Sequence, residues 1–498
     1  MMFSASKSGF RFYVGMAAFA LSSLLLSACA TRALNDDIQD LFSGPRLDGA
    51  SWGLAVLGAS GETLYAINAD DRFLPASNVK NLTSAAAFHH FDDLTAPGLS
   101  LGTRIEMRMS PASFVPDIAL VGGGDAVLGD GPDCVSTCLS ELADQIVDAG
   151  VLKVRDIVGE DLLFPYERWG LGWSWDDLQW RYGAPISALT VNDNAVQISL
   201  RPGEFVDAPL EIDWRDGVRL FDVQIQASTI ASGDVDLLVA RAPGAKLLRI
   251  AGTMPIGAPP RKLHLAVDDP ALAAALRFRA LLEARSVEVL GETRSRYRPT
   301  EPPGAAAHPI ERDAEQSLQL AYLPPSPLIE TLTRISKDSD NLAAEIVLRR
   351  LGLIAGNGSA EDGVEVIERL LREAGAAPQS YDLSDGSGLS VYNRITPRAM
   401  ARFIYWTGLQ RWGEDWRNTL PIGGVDGTLK SRFTGTPLEG RISAKTGTLF
   451  GVNALSGFMR SARGEMLTFA IMVNDRPSTS ASANAEIDAV LLKIAAAH

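Results

Sequence analysis

The chain has few cysteines and histidines, which limits the chemistry available to it. Three cysteines and five histidines occur among 498 residues, and the histidines form neither an H-E-x-x-H nor an H-x3-H pattern. A zinc site would therefore lack ligands at a usable spacing. We expect neither a metal nor a cofactor.

No run of basic residues occurs along the chain. The 46 Lys and Arg residues are outnumbered by 60 Asp and Glu residues, which gives a formal net charge of −14. Nucleic acid is therefore a poor partner, and the surface field would not draw the folded protein to anionic lipid. Apolar residues make up 46% of the sequence, so a chain of this length can build two or three domains.

The N-terminus carries the pattern of an export signal. Lys7 and Arg11 precede an uncharged and mostly apolar stretch from Phe12 to Ala28. A positive segment followed by an apolar one is typical of a secretory signal peptide, and we predict one over 1–28. The mature chain is therefore expected in the periplasm.

The apolar stretch ends in Leu26-Ser27-Ala28-Cys29, which resembles a bacterial lipobox. In such signals the cysteine is lipidated and becomes the first mature residue, and two or more acyl chains anchor a protein stably. Ala30, not an aspartate, follows Cys29, which favours the outer membrane. The alternative is an ordinary cleaved signal with a chance cysteine.

The other two cysteines, Cys134 and Cys138, are spaced C-V-S-T-C. In an exported chain, two cysteines this close are expected to form a disulfide that closes a small loop. We predict this disulfide and no zinc site, since zinc would need two further ligands.

Predicted strands and helices gather at the two ends of the chain. Runs of β-forming residues predict strands at Trp52–Leu57, Thr63–Ile67, Arg441–Thr448, Ala454–Arg460 and Met466–Val473. Helices are predicted at Pro75–Phe88, Leu328–Ile335, Leu342–Leu351, Gly363–Ala374 and Ala483–Ala496.

Strands at both ends with helices between them favour one α+β domain that is divided by an insert. We place this domain at 29–96 and 313–498. The insert, 97–312, is rich in short β-like runs and is expected to hold two smaller domains, the inner one at about 198–265.

The first chemical motif is Ser77-Asn78-Val79-Lys80 at the start of a predicted helix. Residues i and i+3 share a helix face, so the lysine can act as the base that the serine needs. A lysine base must be neutral, which requires burial or a neighbouring cation to lower its pKa. Alone the motif is weak, because Ser4-Ala5-Ser6-Lys7 matches it within the signal peptide.

The second motif is Ser339-Asp340-Asn341. A serine hydroxyl donates and accepts, which suits it to relay a proton, and an asparagine amide can hold a peptide backbone. The structural alternative is an N-terminal cap for the helix that follows, and the two interpretations are compatible.

The third motif is Lys445-Thr446-Gly447 on a predicted strand. A lysine and a hydroxyl side by side can bind a carboxylate, and glycine lets a ligand approach the strand. The next residue, Thr448, can offer its backbone N–H. Taken alone, the motif could equally be a strand end that enters a turn.

Together, S-x-x-K, S-D-N and K-T-G in this order form the signature of penicillin-binding proteins and serine β-lactamases. The chain resembles the low-molecular-mass class C penicillin-binding proteins, which are D-alanyl-D-alanine carboxypeptidases and endopeptidases of the penicillin-binding protein 4 type. The long gap between the first two motifs is a feature of that family. Further similar stretches are Leu74–Lys80, Lys337–Leu342, Asp385–Ser390 with Asn393, Gly424–Leu429, Ala444–Leu449 and, in the insert, Tyr182–Leu189 with Asn194.

The resemblance implies a transpeptidase-like domain whose antiparallel sheet has helices on both faces. It implies that Ser77 is the nucleophile, that Lys80 is its base and that Ser339 passes a proton to the leaving D-alanine. The backbone N–H groups of Ser77 and Thr448 would form the oxyanion hole. Peptidoglycan stem peptides ending in D-Ala-D-Ala would be substrates, and β-lactams would be covalent inhibitors.

The resemblance also assigns residues that bind the substrate. Asn341 would position the peptide, Lys445 would supply positive charge and Thr446 would hold the terminal carboxylate. The family often places an aspartate in the insert, where it can bind the ammonium of the stem peptide. Here Glu160 or Asp161 is the candidate. A homodimer and an additional endopeptidase activity stay open.

Parts of the sequence also fit three rival functions. Gly49-Ala50-Ser51-Trp52-Gly53 fits G-x-S-x-G, but it precedes a strand, whereas that nucleophile elbow opens a helix. A class A β-lactamase lacks a large insert between the first two motifs. A catalytically silent wall-binding lipoprotein would not require all the reactive residues that this chain carries.

Overall fold

The computed structural model describes residues 37–96, 100–109, 113–131, 133–215, 219–299, 317–480 and 482–498. The predicted signal peptide over 1–28 and the predicted lipidation site Cys29 lie outside these ranges. Within them, every helix is too short or too polar to cross a lipid bilayer.

The first part of the chain supplies two strands and the helix that follows the first motif. Its elements are α1 (described over 37–42), β1 (Ser51–Leu57), β2 (Thr63–Ile67), a 3-10 turn (Ala76–Asn78) and α2 (Val79–His90). Alanine is frequent in α2, which contains no glycine or proline and is buried along most of its length.

The insert is mostly β-structure with two longer helices. Its elements are β3 (Thr103–Arg108), β4 (Asp117–Val121), α3 (Leu139–Asp148), β5 (Lys153–Val154), β6 (Ile157–Asp161), β7 (Ala195–Arg201), β8 (Glu211–Trp214), β9 (Asp222–Ile230), β10 (Asp236–Ala240), β11 (Leu247–Pro255), β12 (Arg261–Ala266), α4 (Pro270–Ala284), β13 (Glu288–Val289), β14 (Thr293–Tyr297) and β15 (Ser317–Leu323).

The chain then returns to the first domain. The elements are α5 (Leu328–Lys337), α6 (Asn341–Ala355), α7 (Ala360–Glu373), β16 (Tyr381–Asp382), β17 (Arg394–Ile395), α8 (Pro397–Gly408), α9 (Gly413–Thr419), β18 (Ile442–Leu449), β19 (Val452–Arg460), β20 (Met466–Asn474) and α10 (Asn484–Ala497).

Five antiparallel strands from both chain ends form the central sheet, in the order β18-β19-β20-β1-β2. Successive residues of a strand point to opposite faces. In β1, Leu54 and Val56 join the core beneath α1 and α10, whereas Ala55 and Leu57 join the core beneath α2 and α5 to α9. The predicted antiparallel sheet with helices on both faces is confirmed.

The outer part of the insert is a mixed sheet in the order β14-β6-β4-β3-β15, and α3 and α4 pack against it. β15 pairs antiparallel with β3, with Leu323 opposite Thr103. The insert therefore continues through Leu323, and the predicted boundary at 312 is too early. The reason is that β15 completes a sheet whose first strand, β3, begins 214 residues earlier in the chain.

The inner part of the insert holds two three-stranded sheets, β12-β7-β8 and β10-β11-β9. They span 195–266, against the predicted 198–265. Their facing side chains form a separate small core that includes Ile198, Leu248 and Ile250. Elsewhere in the insert, Cys134 and Cys138 are joined by a disulfide with their Cα atoms 5.8 Å apart.

Candidate active site

Ser77 lies in the 3-10 turn that precedes α2, and Lys80 lies in the first turn of α2 itself. Ala76, the residue before Ser77, has φ of +47°, a left-handed conformation that side chains disfavour. The predicted continuous helix from Pro75 is therefore split into a tight turn and a helix. This turn leaves Ser77 half-buried at the surface of a cleft while Lys80 is fully buried.

The amine of Lys80 has three close oxygen partners. Its Nζ lies 2.9 Å from Oγ of Ser77, 2.6 Å from Oδ1 of Asn341 and 2.6 Å from the carbonyl oxygen of Ser387. Two of these oxygens belong to carbonyl groups, which only accept hydrogen bonds, whereas the serine hydroxyl can also donate. A neutral amine therefore donates to Asn341 and Ser387 and directs its lone pair at the Ser77 hydroxyl.

Burial lowers the pKa of Lys80 to about 8, although the carboxylates of Asp385 and Asp340 oppose the shift. Desolvation disfavours the charged ammonium, so burial meets the requirement that a lysine base be neutral. Lys80 is therefore neutral far more often than an exposed lysine at the same pH, and the hydrogen bonds of that neutral form point its lone pair at the nucleophile.

Two glycines allow neighbouring backbone to press against the Ser77 turn. A Cβ on Gly388, whose φ is +81°, would overlap the carbonyl oxygen of Ala76. A Cβ on Gly447 would lie 2.6 Å from the carbonyl oxygen of Pro75. The glycine of the third motif is therefore needed for close packing of β18 on the nucleophile turn as well as for access to the strand.

The second and third motifs meet across the cleft. Lys445 on β18 is fully buried, and its Nζ donates to Oγ of Ser339 at 2.9 Å and to the carbonyl oxygen of Thr446 at 3.1 Å. Burial, together with the nearby charge of Lys80, holds the pKa of Lys445 well below its usual range. Binding of a carboxylate next to Lys445 would favour its protonated form.

Asn341 connects the nucleophile side of the cleft to the insert. Its Oδ1 accepts from Lys80, and its Nδ2 donates to the carbonyl oxygen of Tyr182 at 2.7 Å. Because the Lys80 amine donates to Asn341 and the carbonyl of Tyr182 can only accept, these partners fix the orientation of the amide. The insert therefore contributes a contact that sequence reasoning did not find.

Thr446 and Thr448 lie on β18, which is an edge strand of the central sheet. Oγ1 of Thr446 is 2.8 Å from Oγ1 of Thr428, and the side of β18 away from β19 faces no other strand of that sheet. Thr446 is half-buried and Thr448 is exposed. An extended peptide could thus lie along β18 with these two threonines within reach.

The segment 385–390 forms the wall behind Lys80 and is held by two buried carboxylates. Asp385 accepts from the backbone N–H groups of Gly388 at 2.8 Å and Ser390 at 2.7 Å. Glu345 on α6 accepts from the N–H groups of Gly386 and Ser387 at 3.0 and 2.8 Å. These bonds fix the carbonyl of Ser387 against Lys80.

The insert also reaches this wall. Nε1 of Trp173 donates to Asp385 at 3.0 Å, and Ser390 donates to the carbonyl oxygen of Leu171 at 2.7 Å. The stretch 171–182, which we call the strap, is therefore bonded to the catalytic domain at Asp385 near one end and at Asn341 at the other. The stretch contains three tryptophans, Trp173, Trp175 and Trp180, but their positions in the sequence do not reveal the contact.

Glu160 and Asp161, the predicted acidic candidates in the insert, are both buried and occupied. Arg108 binds Glu160 through two hydrogen bonds of 2.5 and 2.9 Å, and Arg296 lies 3.5 Å away. Asp161 accepts from the backbone N–H of Ala188 at 3.0 Å, and burial raises its pKa to about 6. Contrary to the prediction, neither carboxylate is placed where a ligand could reach it.

The fold and the cleft define a serine enzyme of the penicillin-binding protein class, with all three motifs around one site. The chain belongs to the D-Ala-D-Ala carboxypeptidase 3 (S13) family, whose sequence model matches residues 34–497. Members of this family are serine peptidases, and the protein is a serine-type D-Ala-D-Ala carboxypeptidase.

Two curated relatives illustrate the similarity. The chain is 32% identical over 483 residues to the D-alanyl-D-alanine carboxypeptidase of Actinomadura sp., covering 93% of this chain and 85% of the relative. It is 26% identical over 352 residues to D-alanyl-D-alanine carboxypeptidase DacB of Haemophilus influenzae, covering 69% of this chain and 70% of the relative.

A solved structure shows the same fold. Penicillin binding protein 4 from Haemophilus influenzae superposes with a TM-score of 0.76 at 23% identity, covering 92% of this chain and 97% of that chain. A second structure of that protein, with a β-lactam bound, superposes with a TM-score of 0.70 at 22% identity and the same two coverages.

Proposed function

We propose that this protein removes the terminal D-alanine from peptidoglycan stem peptides through an acyl-enzyme on Ser77, with Lys80 as the base. The observation that carries this assignment is the environment of Lys80. Its amine is fully buried, two carbonyl oxygens accept hydrogen bonds from it, and the Ser77 hydroxyl lies 2.9 Å away. Only proton transfer from Ser77 uses the remaining lone pair.

In the acylation step, Oγ of Ser77 bonds to the scissile carbonyl carbon while its proton moves to Nζ of Lys80. The negative charge on the carbonyl oxygen would be met by the backbone N–H groups of Ser77 and Thr448, and one such donor is typically worth about 10²–10³ in rate. Cleavage of the C–N bond then releases D-alanine. Its amine receives the proton through Ser339, which lies within hydrogen-bond distance of Lys445.

In the second step, water attacks the ester on Ser77, releases the shortened peptide and restores the hydroxyl. In the enzyme–substrate complex that precedes both steps, Asn341 and the edge of β18 would hold the peptide, while Lys445 and Thr446 would bind the carboxylate of the terminal D-alanine. A β-lactam acylates Ser77 in the same way, and the bond that breaks is the amide bond of its ring. Because its leaving amine stays tethered, the ester on Ser77 persists as a stable label.

The test of the nucleophile is covalent labelling with fluorescent penicillin, using Ser77→Ala as the matched control. We expect wild-type protein to carry the label through denaturation and the variant to carry none. Unlabelled wild-type protein, or an equally labelled variant, would contradict the assignment of Ser77.

The substrate is tested by incubating the protein with purified muropeptides and measuring the product masses. We expect loss of one D-alanine from pentapeptides. Cleavage of cross-linked dimers would add endopeptidase activity, whereas unchanged masses would contradict the proposed substrate.

We further propose that the mature protein is a periplasmic lipoprotein anchored to the outer membrane through Cys29. The support is the sequence of residues 7–30, which combines a positive segment, an apolar segment and a lipobox-like end. The substrate also lies outside the cytoplasmic membrane. Cys29→Ser should move the protein from the membrane fraction to the soluble fraction, and an unchanged distribution would refute the lipid anchor.

A further inference from the structure

A turn of the insert reaches the loop that carries Ser339. Its residues Asn192, Asp193 and Asn194 have φ values of 50°, 58° and 52°, so three consecutive non-glycine residues adopt the left-handed conformation. Asn192 accepts from the backbone N–H of Asp130 at 2.8 Å, and Asn194 donates to the carbonyl oxygen of Pro185 at 2.9 Å. This turn is therefore held rigidly from within the insert.

Arg334 on α5 joins that turn to the second motif. Its Nε and Nη2 donate to one oxygen of Asp340 at 2.9 and 2.6 Å, and its Nη2 also donates to Asp193. Its remaining nitrogen, Nη1, donates to the carbonyl oxygen of Ala126 at 3.2 Å. One guanidinium thus binds two carboxylates that lie 147 residues apart in the chain and in different domains.

Arg181, in the strap, completes the arrangement. Its Nη1 lies 2.8 Å from the second oxygen of Asp193 and 3.9 Å from Asp340. The insert and the catalytic domain therefore each contribute one arginine and one aspartate. The charges balance, and the side chains of Arg334 and Asp193 are each 24% exposed, so water screens the pair only partly.

The carboxylate of Asp340 lies between the two functional side chains of its motif. Its second oxygen accepts from the backbone N–H of Ala343 at 2.9 Å and so caps α6, which begins at Asn341. Ser339 immediately before it has φ of +59°, a strained conformation for serine. Holding Asp340 therefore fixes the positions of both neighbours.

We propose that Asp193 and Arg334 form a clamp through which the insert positions Ser339 and Asn341, so that Asp193 is a positioning residue for acylation. This inference rests on the proposed function, because it assigns a purpose to the fixed geometry of the proton relay. Without Asp193, Arg334 would keep Asp340 and the carbonyl oxygen of Ala126 but would lose its charged partner on the insert. The loop is then free to relax from the strained conformation of Ser339.

Asp193→Asn is the sharpest variant, because asparagine accepts the left-handed conformation readily and the substitution removes little besides the charge. The matched control is Asp117→Asn. Asp117 binds Arg155 through hydrogen bonds of 2.7 and 2.5 Å, is 16% exposed and belongs to the insert, but its bonds stay within the insert.

We expect Asp193→Asn to lower the rate of acylation by penicillin and kcat for D-alanine release by roughly 10- to 100-fold, as misplacement of a catalytic group does. KM should change much less, since Thr446 and Lys445 are untouched. Asp117→Asn should keep the wild-type rates. Equal rates in Asp193→Asn and wild-type protein, or equal losses in both variants, would overturn the clamp.

A double variant provides a second measurement. If Asp193 and Arg334 act as one unit, combining Asp193→Asn with Arg334→Gln should cost no more activity than the worse single variant. Fully additive losses would overturn the clamp, as would a loss that tracks the melting temperature of each variant. An inactive wild-type protein would instead refute the proposed function, so the two failures are distinguishable.

Discussion

The two sides of the cleft are built in different ways. On the nucleophile side, Ser77 and Lys80 are held by the catalytic domain, through Gly388, Gly447 and the carbonyl of Ser387. On the opposite side, the loop of Ser339 to Asn341 contacts Arg181 and Tyr182 of the insert directly. It is joined to Asp193 of the insert through Arg334.

The two sides of the cleft meet different physical requirements. The nucleophile needs a dry pocket that lowers the pKa of Lys80, and close packing within one domain supplies it. The relay side must leave room for a peptide, so it cannot be packed as tightly. Charged side chains from a second domain can fix that loop without filling the cleft.

The largest expected effect is on the nucleophile side, in Lys80→Met. Methionine fills a similar volume but offers no lone pair to accept the Ser77 proton, so acylation by penicillin should fall by at least about 10³-fold. The measurement is the rate of covalent labelling by stopped-flow or gel. Labelling at a wild-type rate would show that another group activates Ser77.

The next prediction tests whether close packing holds Ser77 and Lys80 in place. Gly388→Ala introduces a Cβ that overlaps the carbonyl oxygen of Ala76, at a residue with φ of +81°. We expect a loss of more than about 1–2 kcal/mol of unfolding free energy, with acylation slowed by about 10²-fold.

The matched control is Gly375→Ala, which has the same φ of +81° and nothing within 4 Å of the new Cβ. It should lose only the backbone contribution of about 1–2 kcal/mol and keep the wild-type acylation rate. Equal acylation rates in the two variants would show that the Ser77 turn tolerates displacement.

A smaller effect distinguishes the two lysines by pH. Lys80 must be neutral, so acylation should rise with pH through its pKa of about 8. Lys445 must be protonated to attract a carboxylate, and burial lowers its pKa, so binding should weaken as pH rises. The rate of acylation by a carboxylate-bearing β-lactam should therefore be bell-shaped, and a monotonic profile would show that one lysine does not titrate in this range.

The smallest effect is expected at the disulfide loop of the insert. Replacing Cys134 and Cys138 by serine opens a short loop and should lower stability by about 2 kcal/mol in the chain-entropy description. Activity should not change, because the loop contains none of the contacts described for the cleft. A large loss of activity would extend the insert's influence well beyond Asp193.

Much of the fold was accessible from local sequence patterns. The five strands of the central sheet and the helices α2, α5, α6, α7 and α10 were predicted within a few residues, because each buries one face with its own periodicity. The helices α1, α8 and α9 were not predicted. The boundary at 312 was wrong because β15 is defined by its partner β3, a long-range pairing that leaves no local signal. The register between two distant strands cannot be predicted from the sequence of either strand alone.

The site divides in the same way. Ser77, Lys80 and Lys445 were found because their chemistry needs particular side chains at fixed spacing. The carbonyl groups of Ser387 and Tyr182 were not, since any residue supplies a carbonyl. Glu160 was a wrong candidate because its occupancy by Arg108 depends on strand pairing, and an aspartate such as Asp193 looks like any surface acid until Arg334 lies beside it.

The pairing of β1 with β20 has a consequence for the order in which the molecule can be assembled. Ser51–Leu57 pairs along its whole length with strand residues 468–474, so the central sheet needs both ends of the chain. The insert, whose described strands pair among themselves between 103 and 323, has no such requirement. During synthesis the insert can close first, whereas the serine becomes reactive only after the last strand has emerged.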